Sequence, residues 1–512
     1  MPRLVAACLA VAALAAALAL GDRARSWNDE LAIAVPPLAR EPLRLDDPHT
    51  PRLAERVTLV VIDGLGAGEA HLPYLDELRA RGVAATAHVP YPTISRPNYV
   101  TLVTGVPPRD SGVRANRVPT PVLVDTIMDR VQAAGLRVAA AGDFGMLPSL
   151  FARHTDTLQV RWVETGTLVT PPPPVTWPVD EARRAPSLAA LGPIIAQLDA
   201  AFTVVLVLDV DRAGHAAGVD EDYRAAAAAA DRMLRVAFAG VDLAREAVIV
   251  TADHGHVAPG GHGGPEPEVA TVPLVLAGAG IVPGAAARDA QLADVAPTVA
   301  ALLGLPAPGH AEGRALVELL ALAPADAARR AAADAARARA IAPVVDVHAD
   351  TPAVRWLLAV GALVLAVGAL GRRVLRPAAL TGALGFVAMI GAMVAITGGR
   401  LSPSYIPSLA RTEQRGALGA AIAIAVQITA SWFAIRRASD RLAAATGVAL
   451  AGLGVSLGVV GLVRAWFSPP FLDVPPPAWM VAIPTLDLAA ATCAVGCTLT
   501  LGIAAIARYP RS

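Results

Sequence analysis

Val57-Thr58-Leu59-Val60-Val61-Ile62-Asp63-Gly64 is a short apolar run, rich in β-branched residues, that stops on an acid and a glycine. Such a run, bounded by a turn signal, reads as a buried strand. Two more stretches repeat the pattern. Thr203 to Leu208 ends near Asp209 and Asp211, and Ala247 to Thr251 ends at Asp253 and His254. Leu75 to Arg81, Val124 to Ala134 and Asp222 to Phe238 read as helices between them. Strands alternating with helices, with polar residues past the strand ends, describe an α/β sheet with a site along that edge. The Pro-rich run Thr170 to Pro178 is a loop, and the Ala- and Arg-rich run Ala323 to Ile341 is expected as a solvated helix.

Outside this region the chain changes character. Of 512 residues 55% are hydrophobic and mean hydropathy is +0.52, with most of the excess before residue 21 and after residue 355. Leu4 to Leu20 is an unbroken apolar run behind Arg3, as in a signal peptide or a signal anchor. Ala19-Leu20-Gly21 is only a fair cleavage site, which favours the anchor. Apolar segments follow at 356–371, 377–397, 416–435, 443–463 and 484–507, most of them near the roughly 20 residues a bilayer requires. If the middle of the chain lies outside the cell, the inner loops and tail hold Arg372, Arg373, Arg376, Arg436, Arg437, Arg441, Arg508 and Arg511. The outer loops hold Arg400, Arg411, Arg415 and Arg464. That asymmetry runs in the positive-inside direction. The expected layout is a signal segment at 1–25, a catalytic domain at 50–322, a linker helix at 323–354 and a five-helix transmembrane domain at 355–512. Asp487, just after Pro484, is read as favouring a helix dipole, and Cys493 and Cys497 as packing residues.

Charge and cysteine content narrow the function. Lys plus Arg and Asp plus Glu each number 43, so no basic face calls for a nucleic-acid partner. The three cysteines, Cys8, Cys493 and Cys497, all lie in apolar stretches, which leaves the middle of the chain without a disulfide or a thiolate metal site. Chemistry there must come from carboxylates, imidazoles and hydroxyls. Asp63 alone fits an N-cap as well as a ligand. Pro92-Thr93-Ile94-Ser95-Arg96-Pro97-Asn98 places Ser95 at a helix start, where backbone N–H groups favour an alkoxide or phosphate, although a simple cap would look the same. Asp211 and His215, four apart with Gly214 between, can reach one ion from a loop. Asp253-His254-Gly255-His256 and Gly260-Gly261-His262-Gly263-Gly264 add imidazoles in glycine-rich surroundings. Three carboxylates, three histidines and a hydroxyl are enough for two divalent ions sharing one nucleophile.

In this order along the chain, these clusters resemble the alkaline phosphatase superfamily, especially its nucleotide pyrophosphatase/phosphodiesterase branch. Further matches are Gly105-Val106-Pro107-Pro108, Val272-Pro273-Leu274-Val275-Leu276 and Asp294-Val295-Ala296-Pro297-Thr298 with Leu302-Leu303-Gly304-Leu305-Pro306. Pro92 to Gly112 is also similar to the catalytic stretch of glycosylphosphatidylinositol ethanolamine phosphate transferases, which share the Ser-Arg-Pro wording. The likeness covers about residues 57 to 315. It implies an α/β, alkaline-phosphatase-like mixed sheet sandwiched by helices, here followed by an all-α transmembrane domain. It also places Asp211, His215 and His262 on one metal, and Asp63, Asp253 and His254 on the other, which also contacts the nucleophile. Ser95 is the implied nucleophile because it stands ten residues before Gly105, and Thr93 is the runner-up. Asn116 matches an Asn that contacts a phosphoryl oxygen, whereas His256 has no clear family role and reads as a neighbour of the site more than as a ligand. Sulfatases carry an Arg four residues after their modified residue. Here Tyr99 stands there, which disfavours sulfate esters.

Three functions remain in competition. The first is a phosphodiesterase or phosphohydrolase with two divalent ions, zinc before manganese, working through a phospho-serine at the extracytoplasmic face of the cytoplasmic membrane. The second is a phosphoethanolamine-type transferase with a lipid-linked phosphate donor and a lipid or glycan acceptor. The third is a non-catalytic membrane protein with a degenerate domain, which the complete ligand set argues against.

Overall fold

Strand β1 (Arg56–Ile62) is buried along nearly its whole length because it lies mid-sheet, between β5 (Phe202–Val207) and β6 (Glu246–Thr251), parallel to both. The computed structural model describes residues 2–27, 31, 37–41, 50–116, 122–143, 156–161, 188–346, 377–406, 409–467 and 474–507. It divides into two compact units, Ala34–Val347 and a second made of Met1–Ile33 with His348–Ser512. The run 170–178 and the expected membrane segment 356–371 fall outside the described residues.

Among the described residues of the first unit, seven strands form one sheet in the order β2-β7-β6-β1-β5-β3-β4. Five are parallel, while β7 (Thr271–Gly278) runs antiparallel both to β6 and to the edge strand β2 (Gly82–His88). The remaining strands are β3 (Val138–Asp143) and β4 (Thr157–Arg161). The α/β class expected from the sequence is therefore a mixed sheet. Apart from the N-terminal α1 (Pro2–Arg25), which belongs to the other unit, the helices start with α2 (Pro73–Ala80), α3 (Ser95–Thr104) and α4 (Ile127–Ala133). α5 (Leu188–Ile195), α6 (Asp209–Ala217), α7 (Glu221–Ala237) and α8 (Val295–Leu303) follow. One core joins Val60, Ile62, Val205 and Val250 of the strands to Leu75, Tyr99, Leu234 and Leu302 of the helices.

Two local expectations change. Asp211 and His215 sit on helix α6 and not on a loop, because Gly214 is tolerated inside the helix and lets the two side chains share a face at i,i+4. The run 323–341 is helical as expected, but only part of its surface is solvated. It lies in α9 (Pro324–Asp346), whose Arg330 and Arg337 are buried. Arg330 donates to the Leu305 carbonyl and the Thr50 hydroxyl, and Arg337 to the carbonyls of Ala311 and Gly313.

The second unit holds α1, α10 (Leu384–Ile396), α11 (Leu409–Ile435), α12 (Arg441–Trp466) and α13 (Pro477–Ile506). Five of its described helical spans are long and apolar enough to cross a membrane: Arg3–Arg25, Ala378–Ile396, Arg411–Ile435, Arg441–Trp466 and Pro477–Ile506. Leu18, Ile422, Phe433 and Ile506 point outward, as they would towards lipid. α1 packs against α13, and Gln427 of α11 donates to the carbonyls of Gly382 (2.8 Å) and Cys493 (3.1 Å) inside the bundle. Asp487 is not at a helix start, because α13 begins at Pro477 and continues through Pro484. It is buried and ion-paired with Arg464, which therefore lies within the bundle and not on an outer loop.

Candidate metal centre

The sheet order explains how four separated segments meet. β6, β1 and β5 are neighbours, so the residues following them share one edge: Asp253 and His254 after β6, Asp63 after β1, and α6 with Asp211 after β5. The Asp63 N–H donates to the Val207 carbonyl (2.9 Å), which continues the β1–β5 ladder to the site. Ser95 is the first residue of α3 and is buried, with its Oγ 3.2 Å from Nε2 of His254. His262 arrives on the glycine-rich loop after β6. That loop is pinned by Thr93, whose hydroxyl donates to the Gly264 carbonyl (2.6 Å) and accepts from the Gly263 N–H (3.0 Å).

The structure gathers Asp211, His215 and His262 into one grouping, and Asp63, Asp253 and His254 into another. Asp211, His254 and His256 form a third that shares members with both, and in each grouping the ligand atoms lie within 4.8 Å of one another. The His254 and His262 rings stack at 3.7 Å between centroids, which joins the first two groupings edge to edge. Asn116 is exposed, and its Oδ1 accepts the Arg96 N–H (2.9 Å), one residue from Ser95.

Burial and like charge control the electrostatics. Asp253 is pushed up to about 7 by burial and by Asp211. Asp63 is raised well above the ordinary carboxylate range by burial and by the Asp253 and Asp211 charges. Burial would raise Asp211 too, but its hydrogen bond with His256 and the nearby His215 and His262 imidazoles hold it low. His254 is lowered well below 6.5 by burial and His262 to about 3, so both are neutral near pH 7.

These residues fit divalent cations. His254 sets Nδ1 against the Gly255 carbonyl (3.1 Å), and His262 sets Nδ1 against the Thr93 carbonyl (2.9 Å). The N–H of each ring is thereby assigned to Nδ1, and both Nε2 lone pairs point into the site. Asp63 Oδ1 and Asp253 Oδ2 are buried without a hydrogen-bond donor. Carboxylates and neutral imidazoles converging in a largely buried pocket form a donor set for zinc or a similar ion, which would displace the carboxyl protons on binding.

Two contributors were not identified from the sequence. Tyr99, one helical turn after Ser95, donates its hydroxyl to Asp63 Oδ2. The signal was its i+4 spacing from Ser95 on one helix face. Tyr223 accepts the Gly66 N–H (3.1 Å) and donates to the Gly64 carbonyl (2.6 Å), which fixes the turn after Asp63. Nothing local in the α7 sequence marks it.

Residues 57–259 match the family model described as Type I phosphodiesterase / nucleotide pyrophosphatase. The 2,3-bisphosphoglycerate-independent phosphoglycerate mutase of Roseobacter denitrificans is 27% identical over 252 residues, 47% of this chain and 49% of that protein. The enzyme of the same name from Cereibacter sphaeroides is 40% identical over 121 residues, 22% of this chain and 23% of that one. The chain thus spans half or less of the length of these relatives. A solved protein in the alkaline phosphatase superfamily from Vibrio parahaemolyticus aligns with TM-score 0.38 and 20% identity, over 57% of this chain and 79% of that one. The family match runs from β1 past β6, so the part of the mixed sheet whose edge carries Asp63, Asp211, Asp253 and His254 is similar to the Type I phosphodiesterase / nucleotide pyrophosphatase family.

Proposed function

We propose that the protein is a two-metal phosphodiesterase that acts through a phospho-Ser95 intermediate at the extracytoplasmic face of the cytoplasmic membrane. The observation that carries this reading is the position of Ser95 Oγ, 3.2 Å from His254 Nε2 at the N-terminus of α3. The groupings Asp63/Asp253/His254 and Asp211/His215/His262 would each hold one divalent ion, zinc before manganese. Such ions supply the positive charge that lowers a hydroxyl pKa and neutralises phosphoryl oxygens.

The chain's own groups do the rest. Ser95 Oγ loses its proton to solvent and attacks phosphorus in line. A P–O bond forms as the bond to the leaving group breaks, and the leaving oxygen departs with the electron pair and takes up a proton from water. The N-terminus of α3 favours the phosphoryl charge through its dipole, while its Arg96 N–H is taken by Asn116 and Pro97 has none to offer. Asn116 has its carbonyl on the Arg96 N–H, which leaves its amide N–H₂ to donate to substrate. A second acceptor, water or a hydroxyl, then attacks phosphorus from the vacated side and returns Ser95. Thr93 is a poor alternative nucleophile because its hydroxyl is engaged both as donor and as acceptor.

A second reading, a phosphoethanolamine-type transferase, is favoured by one observation. Beyond α1, four more of the described helical spans are long and apolar enough to cross a membrane, more than anchorage needs. The test assays the full chain, loaded with zinc or manganese, on a chromogenic phosphodiester. Ser95→Ala is expected to lower kcat by roughly a thousandfold or more while leaving bound metal unchanged. Full activity in Ser95→Ala with loss in Thr93→Ala would overturn the assignment. Product analysis with a lipid donor, scoring released phosphate ester against transfer to an added hydroxyl acceptor, separates the two readings.

A further inference from the structure

Within the metal centre, His256 is a buried imidazole that the proposed chemistry leaves unused. Its ring fits into a slot cut by two glycines: a Cβ on Gly64 would come 2.9 Å from His256 Nε2, and one on Gly214 would come 2.8 Å from the same ring. The ring therefore lies against backbone at a distance that only glycine allows. Its polar contacts are the reverse of those of His254 and His262. Nε2 is 3.0 Å from Asp211 Oδ1, and Nδ1 is buried without a partner. A buried lone pair left unmatched is tolerated better than a buried N–H left unmatched. That assigns the proton to Nε2, where it donates to the carboxylate, and leaves Nε2 no lone pair for an ion.

Although Asp211, His254 and His256 lie close enough to hold an ion, we propose that His256 is not a ligand. It is instead the positioning residue that fixes the Asp211 carboxylate towards the metal shared with His215 and His262. The inference rests on the two-metal reading above. Oδ1 of Asp211 also lies 3.4 Å from His215 Nε2 and 3.7 Å from His262 Nε2, so its direction decides how well that triplet closes. A donor on a ligating carboxylate fixes its orientation, and losing one typically weakens metal binding about ten- to hundredfold.

The test uses the full chain in detergent, with zinc titrated against a chromophoric chelator and cobalt(II) absorption as a readout of the ligand set. The wild type is expected to bind two ions. His256→Phe, which keeps the ring volume but has no donor, should still bind two ions at saturation with an unchanged cobalt spectrum, one of them about ten- to hundredfold more weakly. His256→Gln, whose amide can still donate, should restore most of that affinity. If the Phe variant does not fold by circular dichroism, His256→Asn, too short to reach Asp211, takes its place with the same expectation. Loss of a whole ion at saturating zinc with a changed cobalt spectrum would make His256 a ligand and overturn the proposal. Unchanged affinity in the donor-free variant would make it mere packing and overturn it as well. Less than one ion in the wild type would instead bring down the two-metal reading itself.

Discussion

Asp253 shows what a single residue contributes here, because burial and Asp211 push its carboxyl up to about 7 in the metal-free fold. A proton then occupies a ligand position over much of the physiological range, and an arriving ion must displace it. The direction is fixed by the shift. Between the ordinary carboxylate value of 3.8 and about 7, Asp253 keeps its proton when folded and loses it when unfolded. Its contribution to stability is therefore present at low pH and lost as pH rises through about 7, and bound metal offsets that loss. We expect zinc binding to release at least about one proton at pH 6, with this group's share nearly gone at pH 8. Calorimetry in two buffers of different ionisation enthalpy reads it, and a buffer-independent heat at pH 6 would contradict the prediction. The positions of Asp63, Asp253 and His254 were legible in the sequence because each directly follows an apolar β-rich run. Tyr99 and His256 were not assigned roles, since what each does depends on a partner 36 or 45 residues away.

Among the elements, β1, β5, β6, α2, α4 and α7 lie within a few residues of where apolar patterning put them, because each carries its own buried face. β2 escaped notice: Gly82-Val83-Ala84-Ala85-Thr86-Ala87-His88 has little intrinsic β preference and is a strand through pairing with β7. α9 misled in the other direction. Its composition reads as solvated, yet Arg330 and Arg337 reach inward to satisfy the carbonyls of Leu305, Ala311 and Gly313. Arg337 also pairs with the buried Asp334 at 2.8 Å. Arg337→Ala should thus destabilise the α/β unit by about 2–4 kcal/mol, seen as a drop of about 5–10 °C in its thermal transition. Arg329→Ala, on the exposed side of the same helix, should stay within about 0.5 kcal/mol. Equal effects would mean that α9 is docked by propensity and not by its buried arginines.

For the whole molecule, the boundary of the α/β unit at Val347 defines a cleaner cut than the composition change near residue 322. Ile341 and Val345 of α9 pack with Leu38, Val106 and Val124, so a truncation must keep them. A chain ending at residue 347 should retain turnover of a soluble chromogenic diester. If the substrate is lipid-linked, the same truncation should lose at least about tenfold on phospholipid in bilayers, near 1.4 kcal/mol of transition-state stabilisation. Equal retention on both would make the helical unit an anchor only. That unit has one further property, which concerns time. α1 precedes α13 by the whole stretch of chain from Arg25 to Pro477, yet the two pack against each other. At translation rates of about 5–20 residues per second, α1 waits on the order of a minute for its partner. Throughout that interval the α/β unit emerges and folds while the helical unit is still open. A ribosome stalled inside α13 should therefore yield a domain already able to bind zinc, attached to a membrane part that has not yet closed.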